Sequence, residues 1–134
     1  MTEHKQIILS LANSIPNFNW RGFRKELNNV LDNQLDYLKF IPDGYVIDRD
    51  AKTVHLWEVV CSNDITGNKL TALLQFWWEM DCYGWRVHLT ILNGKLIQTL
   101  SDDDLCDIFY DWGTDYTHIP APTTLKHRGA YALA

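Results

Sequence analysis

Apolar residues along the first third of the chain recur at helical spacing. Between Glu3 and about Asn13, Ile7, Ile8, Leu11 and Ala12 share one helical face, and Pro16 stops the pattern, which predicts a short first helix. Asn19 is placed to cap a second helix, in which Phe23, Leu27, Val30, Leu31 and Leu35 form an apolar stripe. That helix is expected to run to about Leu35, with Arg21, Arg24, Lys25 and Glu26 on or beside its polar face.

The pattern then changes period. Pro42-Asp43-Gly44 is a turn signal that opens a strand at Tyr45-Val46-Ile47, and Asp48 to Lys52 reads as a polar hairpin loop. The second strand, Thr53 to Cys61, alternates through Val54 and Leu56 and then becomes apolar on both sides of Glu58. A central strand covered on both faces has that pattern. Asp64 or Thr66 is placed to cap a third helix ending near Gly84, with Leu70, Leu73, Leu74, Trp77 and Met80 at core spacing and Trp78 also read as core.

Trp85, Val87, Leu89 and Ile91 alternate with Arg86, His88 and Thr90 in the clearest strand, which puts His88, like His55, at an outward position. Asn93-Gly94 turns that strand toward Leu96 and Ile97. Ser101 and the three aspartates after it have the form of a helix start, so these acids are expected to be mostly caps. The order of elements predicts an α/β (α+β) fold in one domain spanning 1–134, with a mixed central sheet flanked by helices and 113–134 as a C-terminal extension.

Composition narrows the class. A chain of 134 residues that is 46% hydrophobic, with six Trp, six Tyr and five Phe, can bury one adequate core without disulfides or a structural metal. A net charge of -5 argues against a protein that coats nucleic acid by charge alone, although a local basic strip is compatible with it. Cys61, Cys82 and Cys106 form no C-x-x-C pair and sit in apolar surroundings, which reads as reduced and buried. With neither a leader pattern nor a span of about 20 apolar residues, the expected setting is cytoplasmic, that of the host if the source is viral, and without membrane partners.

One residue is out of place: a carboxylate flanked by Trp57 and Val59 in a doubly covered strand is costly unless something compensates it. Together with Asp43 on the preceding strand and Glu26 on the helix before, Glu58 resembles the metal-binding core of the PD-(D/E)XK, restriction-endonuclease-like nuclease superfamily. Pro42-Asp43 matches that family's first element and Glu58 its second, and the resemblance, from about Arg21 to Leu92, implies an αβββαβ core. It further implies that Asp43 and Glu58 bind Mg²⁺ or Mn²⁺, that Glu26 is the helix acid, and that the Val59 carbonyl is an additional ligand.

The family's Lys position, two residues after the second acid, is Val60, and Lys69 on the third helix is the substitute the resemblance suggests. Gln75 on the same helix is similar to the helix glutamine of the family's RecB-like branch, with Glu79 where a Tyr would follow. The activity implied by the resemblance is that of a metal-dependent nuclease acting on nucleic acid, DNA by preference, either as a homodimer or within a larger assembly. The alternative is an inactive nuclease-like binding or inhibitory protein, such as a phage or mobile-element accessory factor.

Overall fold

The computed structural model describes residues 2–31, 35, 39–114 and 116–123. Helix α1 (Glu3–Ser14) starts where the Thr2 hydroxyl accepts the Lys5 N–H at 3.2 Å. It ends at Ile15, whose backbone is extended, as the residue before a proline prefers. Helix α2 (Phe23–Val30) is shorter than its apolar stripe predicts and is capped at Gly22, not Asn19. Asn19 instead exchanges backbone hydrogen bonds with Tyr45. Weak helix formers at Asn28 and Asn29 do not carry the helix on, yet Leu31 and Leu35 are still buried.

Strands β1 (Gly44–Asp48) and β2 (Thr53–Val59) form the expected antiparallel hairpin, its turn held by the Asp48 carboxylate accepting the Ala51 N–H at 3.0 Å. Helix α3 (Gly67–Cys82) crosses over to β3 (Arg86–Asn93), which pairs parallel with β2, and β4 (Leu96–Leu100) returns antiparallel along β3. The result is an α+β fold with a four-stranded mixed sheet in the order β1-β2-β3-β4. Helix α4 (Asp102–Asp111) follows, so two strands precede α3 where an αβββαβ core has three.

The sheet separates two apolar clusters. Val54 and Leu56 of β2, Val60 just after it, and Val87, Leu89 and Ile91 of β3 face the main core, with Leu70, Leu73 and Trp77 of α3 and Leu105 and Ile108 of α4. Trp57, Val59 and Leu92 face the other way, onto Ile8 of α1 and Phe18. The period of two along β2 therefore puts Glu58 on the α3 side, in line with Leu56 and Val60.

Three readings of single residues need correction. Cys61 in the loop after β2 and Cys82 at the end of α3 are exposed, and Cys106 within α4 is half-buried. Trp78 is 44% exposed, next along α3 from the buried Trp77 and therefore on another face of the helix. Of the three aspartates, Asp104 completes a capping box with Ser101, whereas Asp102 is buried and accepts both the Trp77 indole N–H at 3.0 Å and the Val87 N–H at 2.8 Å. Asp102 thus ties α4 to α3 and β3. Part of the C-terminal extension is held too, since Ile119 bridges Ile65 and the Asp64 carboxylate accepts the Ala121 N–H at 2.8 Å; positions 124–134 lie outside the described residues.

Candidate functional site

Asp43 stands where β1 stops being a strand. Gly44 pairs with Trp57, so by continuation of the register Asp43 faces Glu58 and Pro42 would face Val59. A proline has no N–H to continue the ladder. The Asp43 carboxylate takes over: Oδ2 accepts the Val59 N–H at 2.8 Å, and the Asp43 N–H reaches the Trp57 carbonyl at 3.0 Å. In a strand the N–H and C=O of one residue leave by the same edge, so the Val59 carbonyl projects toward the end of β1 as well. The second Asp43 oxygen, Oδ1, meets Nε2 of His4 at 3.1 Å, bringing the first turn of α1 to the site.

Glu58 is fully buried. Its Oε2 is ion-paired with the Lys69 ammonium, while Oε1 has no side-chain partner of its own. Lys69 supplies charge without completing the coordination of the carboxylate. Burial first, and the neighbouring Asp43 charge second, push the Glu58 pKa from 4.5 up to about 7, against the opposing pull of Lys69 and the Asp43 backbone.

Lys69 lies in the first turn of α3, the end of a helix where a cation is least favoured, so the buried carboxylate is the evident reason for an ammonium there. The chain reaches that position through Cys61 and Ser62, two successive non-glycine residues with φ of 46° and 72°. Left-handed backbone at such residues costs about 1–2 kcal/mol each, and the turn it makes aims α3 back over the end of β2.

The structure thus brings Asp43, Glu58, the Val59 backbone and Lys69 together. Glu26 is not gathered with them: it is an exposed residue of the first turn of α2, and its charge acts on the Tyr45 hydroxyl, which burial chiefly, and Glu26 next, push up to about 12. Among the described residues no three His, Cys, Asp or Glu side chains converge on one point. A cation seated here would rest on two carboxylates, the Val59 carbonyl and water. Val60 points into the main core and offers no polar group to the site. Compared with protein-family models, curated proteins and solved structures, the chain matches none.

Beside Lys69 the surface opens into a groove of about 860 Å³ between α3 and the segment Lys39–Ile41, and Gln75 borders it as well. Gln75 is therefore exposed to this groove and not part of the carboxylate cluster. His4 and Lys39 have no signal in the sequence, since each reaches the site only through the docking of distant segments. His55, expected to point outward, is half-buried: its Nε2 lies 2.7 Å from the Thr90 hydroxyl and its ring stacks on Trp57 at 4.0 Å.

Proposed function

We propose that the chain is a metal-dependent nuclease that hydrolyses phosphodiester bonds of nucleic acid, DNA by preference, on a restriction-endonuclease-like sheet. The observation that carries the reading is Glu58: a fully buried carboxylate ion-paired with Lys69 and set against a second carboxylate at a strand end, whose charge together with burial raises its pKa in spite of that pair. The Lys69 pair offsets part of the cost of burying that carboxylate, and the second carboxylate beside it adds to the cost. The oxygen-only donor set of Asp43, Glu58 and the Val59 carbonyl suits a hard cation, Mg²⁺ or Mn²⁺, which when bound polarises a phosphoryl oxygen and acidifies a bound water.

The chain's own groups fill the remaining roles. The Val59 N–H and His4 hold Asp43 in one orientation. Lys69 counters the charge of Glu58 from a side chain that is 48% exposed, so the ion pair lies at the margin of the site that faces solvent. That placement supports Lys69 as the substitute for the missing lysine at Val60. No helix among the described residues is long and apolar enough to cross a membrane. Free thiols exposed at Cys61 and Cys82 fit a reducing, cytoplasmic setting, with dimerisation or a larger assembly supplying further recognition.

One observation favours a second reading. Lys69 already neutralises Glu58 without any metal, and a nuclease-like fold that had become a binding or inhibitory protein would keep such a pair. Calorimetric Mn²⁺ titration of the wild type, Asp43→Asn and Glu58→Gln, with plasmid and single-strand cleavage on the same samples, separates the two. Binding and cleavage that both disappear in the variants support the nuclease. Cleavage that persists in Glu58→Gln overturns it, and absence of binding in the wild type moves the chain to the inhibitory class.

A further inference from the structure

The two edges of the sheet are finished differently. The outer edge of β1 is covered where Tyr45 exchanges backbone hydrogen bonds with Asn19 at 2.9 and 3.0 Å, and the strand ends in Asp48 and the charged turn Arg49-Asp50. Covering and charge of this kind keep one sheet from pairing with another. Strand β4 has neither: Leu96 to Leu100 carries no charge and no proline, and Leu96 and Ile97 are 42% and 62% exposed. The turn before it fixes which backbone groups are free. Gly94, with φ of 61°, and Lys95 make a two-residue hairpin loop, so the pair that closes it, Asn93 with Leu96, is hydrogen-bonded. Alternation along the ladder then directs the backbone groups of Leu96, Gln98 and Leu100 toward β3 and leaves the N–H and C=O of Ile97 and Thr99 on the open side. Among the described residues, no backbone hydrogen bond from another segment meets them.

We propose that this edge is completed by the β4 of a second copy of the chain, paired antiparallel about a two-fold axis at Gln98; the inference does not depend on the nuclease reading. An open strand edge takes another extended strand, and charge selects this one. Lys95, just before β4, has no ion-pair partner among the described residues. Asp102, Asp103 and Asp104 follow the other end of the strand, and Arg86 is the one cation set against them among the described residues. The strand therefore has a positive end and a negative end. Antiparallel pairing brings each Lys95 to the partner's acids, whereas parallel pairing would put like ends together. In the register centred on Gln98, Ile97 of one chain exchanges both backbone bonds with the partner's Thr99, and Leu96 faces the partner's Leu100, a residue of the main core. The two four-stranded sheets become one, with the carboxylates of β1 and β2 toward its far ends. Two five-residue strands make a small contact, so the association is reversible and depends on concentration.

Sedimentation velocity over a wide range of concentration, joined to residue-resolved hydrogen exchange, tests this pairing on the full chain. A monomer–dimer equilibrium is expected, with the Ile97 and Thr99 amides gaining protection as concentration rises. Leu96 and Gln98, already bonded to β3, should not change. Thr99→Pro removes an outward N–H without breaking the β3 ladder and should weaken the dimer by about tenfold. Gln98→Lys and Gln98→Glu each set like charges across the axis and should be monomeric, while an equal mixture of the two should recover a dimer with one copy of each. Lys95→Glu alters only an exposed turn residue, so it folds whether or not the strand variants do, and it should weaken the dimer as well. A chain that stays monomeric at every concentration, or a dimer that none of these variants weakens, would overturn the proposal. So would Gln98 charge variants that remain monomeric when mixed, or protection of Ile97 and Thr99 that does not depend on concentration.

Discussion

Glu58 and His55 share one strand and oppose each other in the titration of the molecule. The native chain holds the Glu58 proton more tightly than the unfolded chain does, because the folded pKa is about 7 against 4.5. Its contribution to stability is complete below pH 4.5 and is lost as the pH rises through about 7, an effect of about 3 kcal/mol at one pH unit per 1.4 kcal/mol. His55 runs the other way: burial, and then the neighbouring His88, lower its pKa from 6.5 to about 4. Stability from His55 is complete above pH 6.5 and is lost as the pH falls through about 4. In the wild type the two slopes oppose each other where their intervals overlap, between pH 4.5 and 6.5. Urea denaturation in EDTA should therefore show a shallow pH profile for the wild type, a fall toward acid in Glu58→Gln, and a fall toward alkali in His55→Gln. A Glu58→Gln profile that parallels the wild type would mean that the carboxylate is ionised and compensated throughout.

At the scale of elements, the site depends on how tightly α1 and its following loop pack against the end of β1. A Cβ on Gly44 would collide with the Phe18 ring, which itself meets Trp57 edge-on at 5.2 Å. Gly44→Ala must push that ring aside, and overpacking of this kind costs about 1–3 kcal/mol. Because Asp43 is the adjacent residue, the same variant is expected to lower Mn²⁺ affinity, so denaturation midpoint and calorimetry should fall together. A variant with an unchanged midpoint would show that Phe18 moves freely. This close approach could not be read from the sequence, where Pro42-Asp43-Gly44 is only a turn signal. The hairpin, α3, β3 and the buried position of Glu58 were legible because each follows from local periodicity. The early end of α2, the inward role of Asp102 and the arrival of His4 at Asp43 were not, since each is decided by contacts between segments far apart in the chain. Lys69 was reachable from sequence only through the family resemblance, and its partner Glu58 only through the oddity of an acid in an apolar strand.

Across the whole molecule, the two faces of the sheet are unequally supported. The α3 side rests on the large cluster that includes Leu70, Trp77, Leu89 and Leu105, whereas α1 is held by the small one around Ile8, Phe18 and Trp57. Local opening follows the amount of apolar packing. Native-state hydrogen exchange should therefore find the α1 amides less protected than those of α3 and β3, and α1 amides in the slowest class would contradict that division. Opening of α1 would also release His4 from Asp43, so access to the carboxylates is tied to the weaker face. Strand β2 has a further property, since apolar side chains are buried on both of its faces. A one-residue slip against β3 would exchange those faces, taking Glu58 from Lys69 into the apolar layer beneath α1 and His55 from Thr90 into the main core. The acid that fits a cation is thus also one of two polar marks, with His55, by which a strand apolar on both faces tells one side from the other.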